Sequence, residues 1–421
     1  MMKKKLIVCT VLCLTAVISA TALAALWPNQ KAEEYTEENV SDTASPSEIL
    51  NTASPSEVSN TEIVPQKPEI LPVEGRLAAD LDGIFRKYKA ANVSLAIIED
   101  GTVTRHYEYG YKNISAKKPM TPNTKMRVAS LSKVVSTMAA MTLYDKGELD
   151  LERDVGDYFG FRIRGKQADV PITTRMLMSH TSALADNMAR MQRGDPLRVV
   201  ARNSNSTVNP GVFRYANINI GLVGAEIEKI TNKRFQDYAQ EALFSPMGVD
   251  CGYDAANIRD TSDFANLYNA EKEVERTAET QAKPVKPRKI GEGYTTAYGS
   301  LLCSSTELAE ILTILINGGE YNGQRILSRD TVELMETPVV AAKAGGVTFE
   351  QCLGLRRNHV FGRDVYYHNG NALGVISLLA YDKEHRCGVV VITSGAGGGA
   401  KDGIYSVCYA SAARVFEDLQ K

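Results

Sequence analysis

The 421-residue sequence has no surplus of positive charge: 48 lysines and arginines face 50 acids, for a net charge of −2. Nothing in that balance suits a polyanion, so nucleic-acid binding is excluded as a default reading. Cysteine is scarce, at seven residues, and two of these (Cys9 and Cys13) fall in an N-terminal apolar run. The other five, Cys251, Cys303, Cys352, Cys387 and Cys408, are odd in number and match no metal-site spacing. They are expected as small buried hydrophobes. The sequence has no H-E-x-x-H and no G-x-S-x-G, which removes the zinc-protease signature and the α/β-hydrolase elbow. Gly395 to Gly399 resembles a phosphate loop, but Lys401 is not followed by Ser or Thr, so a strand-to-helix turn is expected there. Neither a metal nor a cofactor is expected.

What is present begins with an address. Lys3, Lys4 and Lys5 precede an uncharged run from Leu6 to Leu26. A basic start before such a run is an export signal with the lysines kept inside. At 21 residues the run is long enough to span a bilayer, yet Ala22-Leu23-Ala24 fits a small-x-small cleavage site. Residues 1–27 are therefore expected as a signal peptide or signal-anchor helix. Residues 28–70 are rich in Glu, Ser, Thr and Pro, and Thr43–Glu48 recurs as Thr52–Glu57. Such a stretch buries too little apolar surface to offset the entropy of ordering it, so a disordered spacer is expected. Residues 71–421 are close to neutral and long enough for one large core.

Within that body the spacing predicts a helix over Glu74–Ala91 and a hairpin from Val93–Ile98 and Thr102–Tyr109. A second hairpin is predicted from Val375–Tyr381 and Gly388–Thr393, then a final helix over Gly403–Leu419. Helical patterns fill the middle, at Ser130–Lys146, Asn219–Thr231 and Ser305–Asn317. Strands from both ends of the chain bracket a helical middle, so the economical architecture is α+β, with one antiparallel sheet beside a helical insertion.

Three motifs occur in order: Ser130-Leu131-Ser132-Lys133, Tyr215-Ala216-Asn217 and His368-Asn369-Gly370. If Ser130 opens a helix, Lys133 shares its face and its amine reaches the serine hydroxyl. A serine is a weak nucleophile until a neighbouring base takes its proton. The apolar residues that follow (Val134, Val135, Met138, Met141, Leu143) predict a buried helix that holds the pair rigid. Ser115-Ala116-Lys117-Lys118 has the same spacing but lies in a polar loop before Pro119, where no rigid face exists. Tyr111-Lys112-Asn113, near it, is likewise read as incidental.

With their flanks in 121–183, 214–249 and 298–328, these motifs resemble the serine beta-lactamase and penicillin-binding-protein superfamily. They are most similar to the class C beta-lactamase-related group of D-alanyl-D-alanine carboxypeptidases and esterases. The resemblance implies a five-stranded antiparallel sheet flanked by helices, an all-helical subdomain, and a site in the cleft between them. It further implies Ser130 as acylated nucleophile, Lys133 as its proton partner, Tyr215 as general base and Asn217 as a ligand of the substrate amide. His368 would take the place of the lysine of K-[ST]-G, with Asn369 and Gly370 beside the substrate. The backbone N–H groups of Ser130 and Asn371 would form the oxyanion hole. A histidine in that place predicts an alkaline limb in the activity between about pH 6 and 8, as its charge is lost.

The sequence departs from the family's pattern in three places. Asn369 stands where Thr or Ser is usual, Tyr367 where glycine is frequent, and Ala183 where H-T-S-G-L has glycine. Glu228 and Asn232 share the spacing of a deacylating pair in class A enzymes, but a solvated helix face is the better reading. His180 is expected to be structural. The resulting expectation is an extracytoplasmic serine hydrolase acting on a cell-envelope small molecule or peptide ending in D-Ala or similar, held to the membrane by its N-terminal segment. A class C-like beta-lactamase and a catalytically silent ligand-binding or sensor protein are the alternatives.

Overall fold

The computed structural model describes residues 68–163 and 169–420. The expected export segment and most of the spacer lie outside them. No helix among the described residues is long and apolar enough to cross a membrane.

The sheet has ten strands. In chain order these are β1 (Leu71–Pro72), β2 (Asn92–Glu99), β3 (Thr102–Asn113), β4 (Lys118–Pro119), β5 (Val340–Ala344), β6 (Val347–Gln351), β7 (Arg356–Val360), β8 (Arg363–Ala372), β9 (Val375–Asp382) and β10 (Cys387–Ser394). Their order across the sheet is β1-β3-β2-β10-β9-β8-β7-β6-β5, with β4 on β3. The central five, β3-β2-β10-β9-β8, are antiparallel, as expected. The whole is not, because β1 pairs parallel with β3. The five-stranded, wholly antiparallel sheet is corrected to a larger mixed one. The added strands are short or polar, and their apolar pattern is too weak to announce them.

Strands β2, β9 and β10 are buried on both faces, which explains their largely apolar runs. Val93, Leu95 and Ile97 of β2 pack with Leu77, Leu81 and Phe85 of α1 (Gly75–Lys87) and with Val415 and Phe416 of the C-terminal helix. Ala96 and Ile98 face the opposite way, into a core with Leu308 and Ile311 of a helix over Ser305–Ile316. That helix opens on a capping box in which the Ser304 side chain and Glu307 satisfy each other's backbone N–H groups. Helices from both ends of the described residues thus meet on one face of the sheet, and the helical middle covers the other.

In that middle lie α2 (Ser132–Asp145) and α3 (Asn217–Thr231). Every residue of α2 from Ser132 to Leu143 is buried, so this helix is a central post with no wet face. The C-terminal helix starts at Ser406, three residues later than expected. A hairpin of Ala400–Lys401 and Ile404–Tyr405 precedes it, turning on Asp402-Gly403. Both turn residues have positive φ, 51° and 75°, the type I′ geometry that Asp-Gly favours and that a helix cannot contain. All five cysteines of the body are buried and free.

Candidate active site

Ser130 sits in a single 3₁₀ turn, Ala129–Leu131, that leads into α2. Ala129 before it has φ of 54°, a left-handed conformation that an alanine holds only under constraint. The constraint is visible. The Ser132 hydroxyl donates to Ala129 O at 2.6 Å, and Val128 O accepts from the Ser377 hydroxyl at 2.8 Å. Gly370 of β8 presses against the same turn. A Cβ there would lie 2.1 Å from Ser377 Oγ and 2.8 Å from Val128 O, so only glycine lets β8 approach.

Lys133 follows one turn later and is fully buried. Its Nζ donates to Ser130 Oγ at 2.9 Å and to Tyr298 O at 2.7 Å. The rings of Tyr215 and Tyr298 flank the ammonium, with centroids at 5.2 and 5.5 Å. No ion pair to Lys133 is found among the described residues, so two oxygens and two aromatic faces define its environment. Arg127 Nη1 donates to Gly299 O at 2.9 Å and holds the loop that presents the Tyr298 carbonyl.

Ser130, Tyr215, His368, Asn369, Gly370 and Asn371 line one cleft of about 430 Å³. The structure therefore brings together six of the sequence-predicted residues and sets Lys133 beneath them. Asn217 is placed differently. At the first turn of α3 its Nδ2 donates to Asp186 Oδ2 at 2.8 Å, and it does not line the cleft. The same carboxylate accepts from Ile218 N at 2.9 Å, so Asp186 caps a helix whose own N-cap residue, Ala216, has no side-chain oxygen.

His368 requires a correction. It is buried, and its Nδ1 is 2.7 Å from Asn369 O, an acceptor that fixes the ring proton on Nδ1. Burial foremost, then the charges of Arg356 and Lys133, push its pKa well below the usual 6.5. His368 is therefore neutral at pH 7, not a cation standing in for lysine. The cation of that wall is one the motif search missed. Arg356, on β7 one strand away, lines the cleft with its guanidinium 4.5 Å from the Phe349 ring centroid and 5.9 Å from that of Tyr215. No motif marks an arginine twelve residues before the histidine; only the β7–β8 register (Arg356 opposite Tyr367) brings it there.

His180 packs against Tyr215 with the rings tilted at 39° and centroids 4.4 Å apart, and its Nδ1 lies 3.0 Å from Asn219 Nδ2. Burial, with Lys133, His368 and Arg356 nearby, lowers its pKa well below 6.5. It props the Tyr215 ring as a neutral group. Two of the family's usual glycine positions are filled otherwise: Ala183 is held at φ of 61°, and Tyr367 is fully buried. Glu228 is not on a solvated face. It is buried and accepts the backbone N–H groups of Phe235, Gly291 and Gly293 at 3.1, 2.7 and 3.1 Å. The loop before Tyr294 folds over α3, which sequence spacing does not reveal. Among the described residues no group of His, Cys, Asp and Glu converges to hold a metal ion.

The family model described as Beta-lactamase matches residues 75–407. A D-aminopeptidase of Gluconobacter oxydans (strain 621H) is 25% identical over 331 residues, covering 75% of this chain and 58% of that protein. Penicillin-binding protein 4* of Bacillus subtilis (strain 168) is 27% identical over 172 residues, 38% of this chain and 37% of that protein. The chain thus spans well under two thirds of either curated relative. Among solved structures, the D-amino acid amidase of Ochrobactrum anthropi SV3 aligns with a TM-score of 0.66 at 22% identity, over 82% of this chain and 99% of that one, a likeness of fold.

Proposed function

The chain belongs to the beta-lactamase family, and on that premise we propose a serine hydrolase that works through an acyl-enzyme on Ser130. The observation that carries the reading is the 2.9 Å contact between a fully buried Lys133 amine and the Ser130 hydroxyl, at the floor of a cleft that Tyr215 also lines. The Ser130 hydroxyl attacks an acyl carbon and its proton passes toward Lys133 and Tyr215. The leaving group departs with a proton from the same pair, and water then releases the acyl group by the reverse relay. The N–H groups of Ser130 and Asn371 receive the developing oxyanion.

The substrate proposed is a small D-alanyl-type amide or ester of the cell envelope. Arg356 supports it, because a guanidinium on the cleft wall matches a carboxylate beyond the scissile bond. The lysine-led apolar run at the N-terminus supports an extracytoplasmic, membrane-held or secreted enzyme. D-aminopeptidase and D-amino acid amidase relatives are in keeping with a D-amino-acid substrate class.

Intact-mass measurement after exposure to a penicillin and, separately, to a D-Ala-D-Ala peptide tests the reading. A Ser130-borne adduct is expected. A long-lived penicillin adduct marks a penicillin-binding protein, and rapid penicillin turnover marks a beta-lactamase. No adduct with either compound or with a simple ester would overturn the hydrolase reading in favour of a silent binding protein.

A further inference from the structure

His368-Asn369-Gly370-Asn371 carries two asparagines at the substrate end of the cleft, and the Nδ2 group of each is already engaged by the fold. Asn369 Nδ2 donates to Gly403 O at 2.7 Å. Asn371 Nδ2 donates to the Tyr405 hydroxyl at 2.9 Å. Both bonds reach the same object, the hairpin Ala400–Tyr405, across more than thirty residues of sequence. Ala400, Asp402, Gly403 and Tyr405 of that hairpin form one wall of the cleft.

Ile404 anchors the hairpin in the core, fully buried beside the C-terminal helix, and the two asparagines tie its turn and its last residue to β8. The hairpin has only two residues in each strand, too few to be stable alone. Its turn brings one charge to the cleft lining, the exposed Asp402 carboxylate. The adjacent Lys401 ammonium lies over the Tyr409 ring at 4.3 Å. Arg356 lines the same cleft from β7.

We infer that Asn369 and Asn371 are positioning residues that pin this hairpin at the cleft, and that Asp402 selects substrates bearing an ammonium group. With Arg356 supplying the cation, the cleft complements a substrate that has both a free amine and a carboxylate, such as an unblocked short peptide. The inference rests on the Ser130 reading for its site, but its binding half can be tested without it.

The charge can be removed without the turn, since Asn-Gly favours type I′ as Asp-Gly does. D-alanine methyl ester and N-acetyl-D-alanine methyl ester are compared at about pH 6.5, where an α-amino group is charged. The N-acetyl ester serves as each variant's own reference. The wild type is expected to favour the free amine about fivefold, mostly through KM, the range an exposed ion pair supports. Asp402→Asn should bring the ratio near unity, and Asp402→Glu should restore part of it. Asn369→Ala should lower the ratio although Asp402 is still present. The surface pair Asn371→Ala and Tyr405→Phe gives the same reading if Asn369→Ala does not fold.

Calorimetric binding of both esters to Ser130→Ala reads the preference without chemistry, so failure of the acyl-enzyme reading leaves it intact. A ratio unmoved by Asp402→Asn, in turnover and in binding, overturns the Asp402 assignment. Equal losses for both esters in Asn369→Ala and in the surface pair would make the asparagines merely structural.

Discussion

The two walls of the cleft are built on different physics. On the nucleophile wall Lys133 is fully buried, locked to two oxygens and two rings on a helix with no exposed face between Ser132 and Leu143. On the substrate wall Arg356 is half-buried on β7, an interior strand, and Asp402 lies exposed on a six-residue hairpin. A buried, over-determined group holds its geometry against thermal motion and suits bond-making. Exposed charges are screened and worth little each, but they can be exchanged without unfolding the protein, which suits specificity.

The largest effect expected on this contrast is the loss of Ser130. Ser130→Ala should lower turnover by at least about a thousandfold, since the covalent route disappears. Its melting temperature should hold, because among the described residues the hydroxyl meets Lys133 Nζ and caps no backbone N–H of the turn. Ser115→Ala should keep full rate, its hydroxyl bonding only Asn113 Oδ1 in an exposed loop. Steady-state rates and a melt of both variants check this, and the reverse pattern would reject the motif assignment.

Next comes Gly370, where the walls touch. Gly370→Ala places a methyl against Ser377 Oγ and Val128 O and should push the Ser130 turn aside. A stability loss of about 1–3 kcal/mol is expected, with a fall in kcat of about a hundredfold for a shift near 1 Å. A denaturant titration beside single-turnover kinetics separates the two. An unchanged kcat would show that the walls are not mechanically coupled.

Arg356→Gln sharpens the comparison from the substrate side. KM for an anionic peptide should rise about tenfold, as for a lost hydrogen bond to a charged group, while a neutral ester should show less than about a twofold change. Equal effects on both substrates would remove Arg356 from recognition.

The smallest effect concerns pH. Burial keeps His180 and His368 neutral in the fold, with both pKa values well below 6.5. The unfolded chain takes up protons on these rings near pH 6.5 and the folded protein does not, so stability falls as pH falls below about 6.5. Each ring contributes up to about 1.4 kcal/mol per pH unit until its depressed pKa is reached. Urea midpoints from pH 7 to pH 5 should decline, and His368→Gln should flatten the decline. The alkaline activity limb expected from a charged His368 should be absent, because the ring already holds only its Nδ1 proton and has no positive charge to lose between pH 6 and 8.

The amino-acid sequence by itself determined the local events. Spacing put Lys133 on the face of Ser130, apolar runs marked the central strands and the buried α2, and five cysteines matching no metal site pointed to small buried side chains. Each of these depends on neighbours a few residues apart, where periodicity is fixed by backbone geometry. Tertiary structure decided what crosses long stretches of chain. The β7–β8 register set Arg356 opposite Tyr367 at the cleft, and burial, helped by the charges of Arg356 and Lys133, made His368 neutral. Asp186 took the side chain of Asn217, a folded-over loop took Glu228, and Asn369 and Asn371 reached a hairpin thirty-four residues away. Charge state and partner choice depend on what excludes water and what comes within hydrogen-bond distance, and both are properties of the packed molecule.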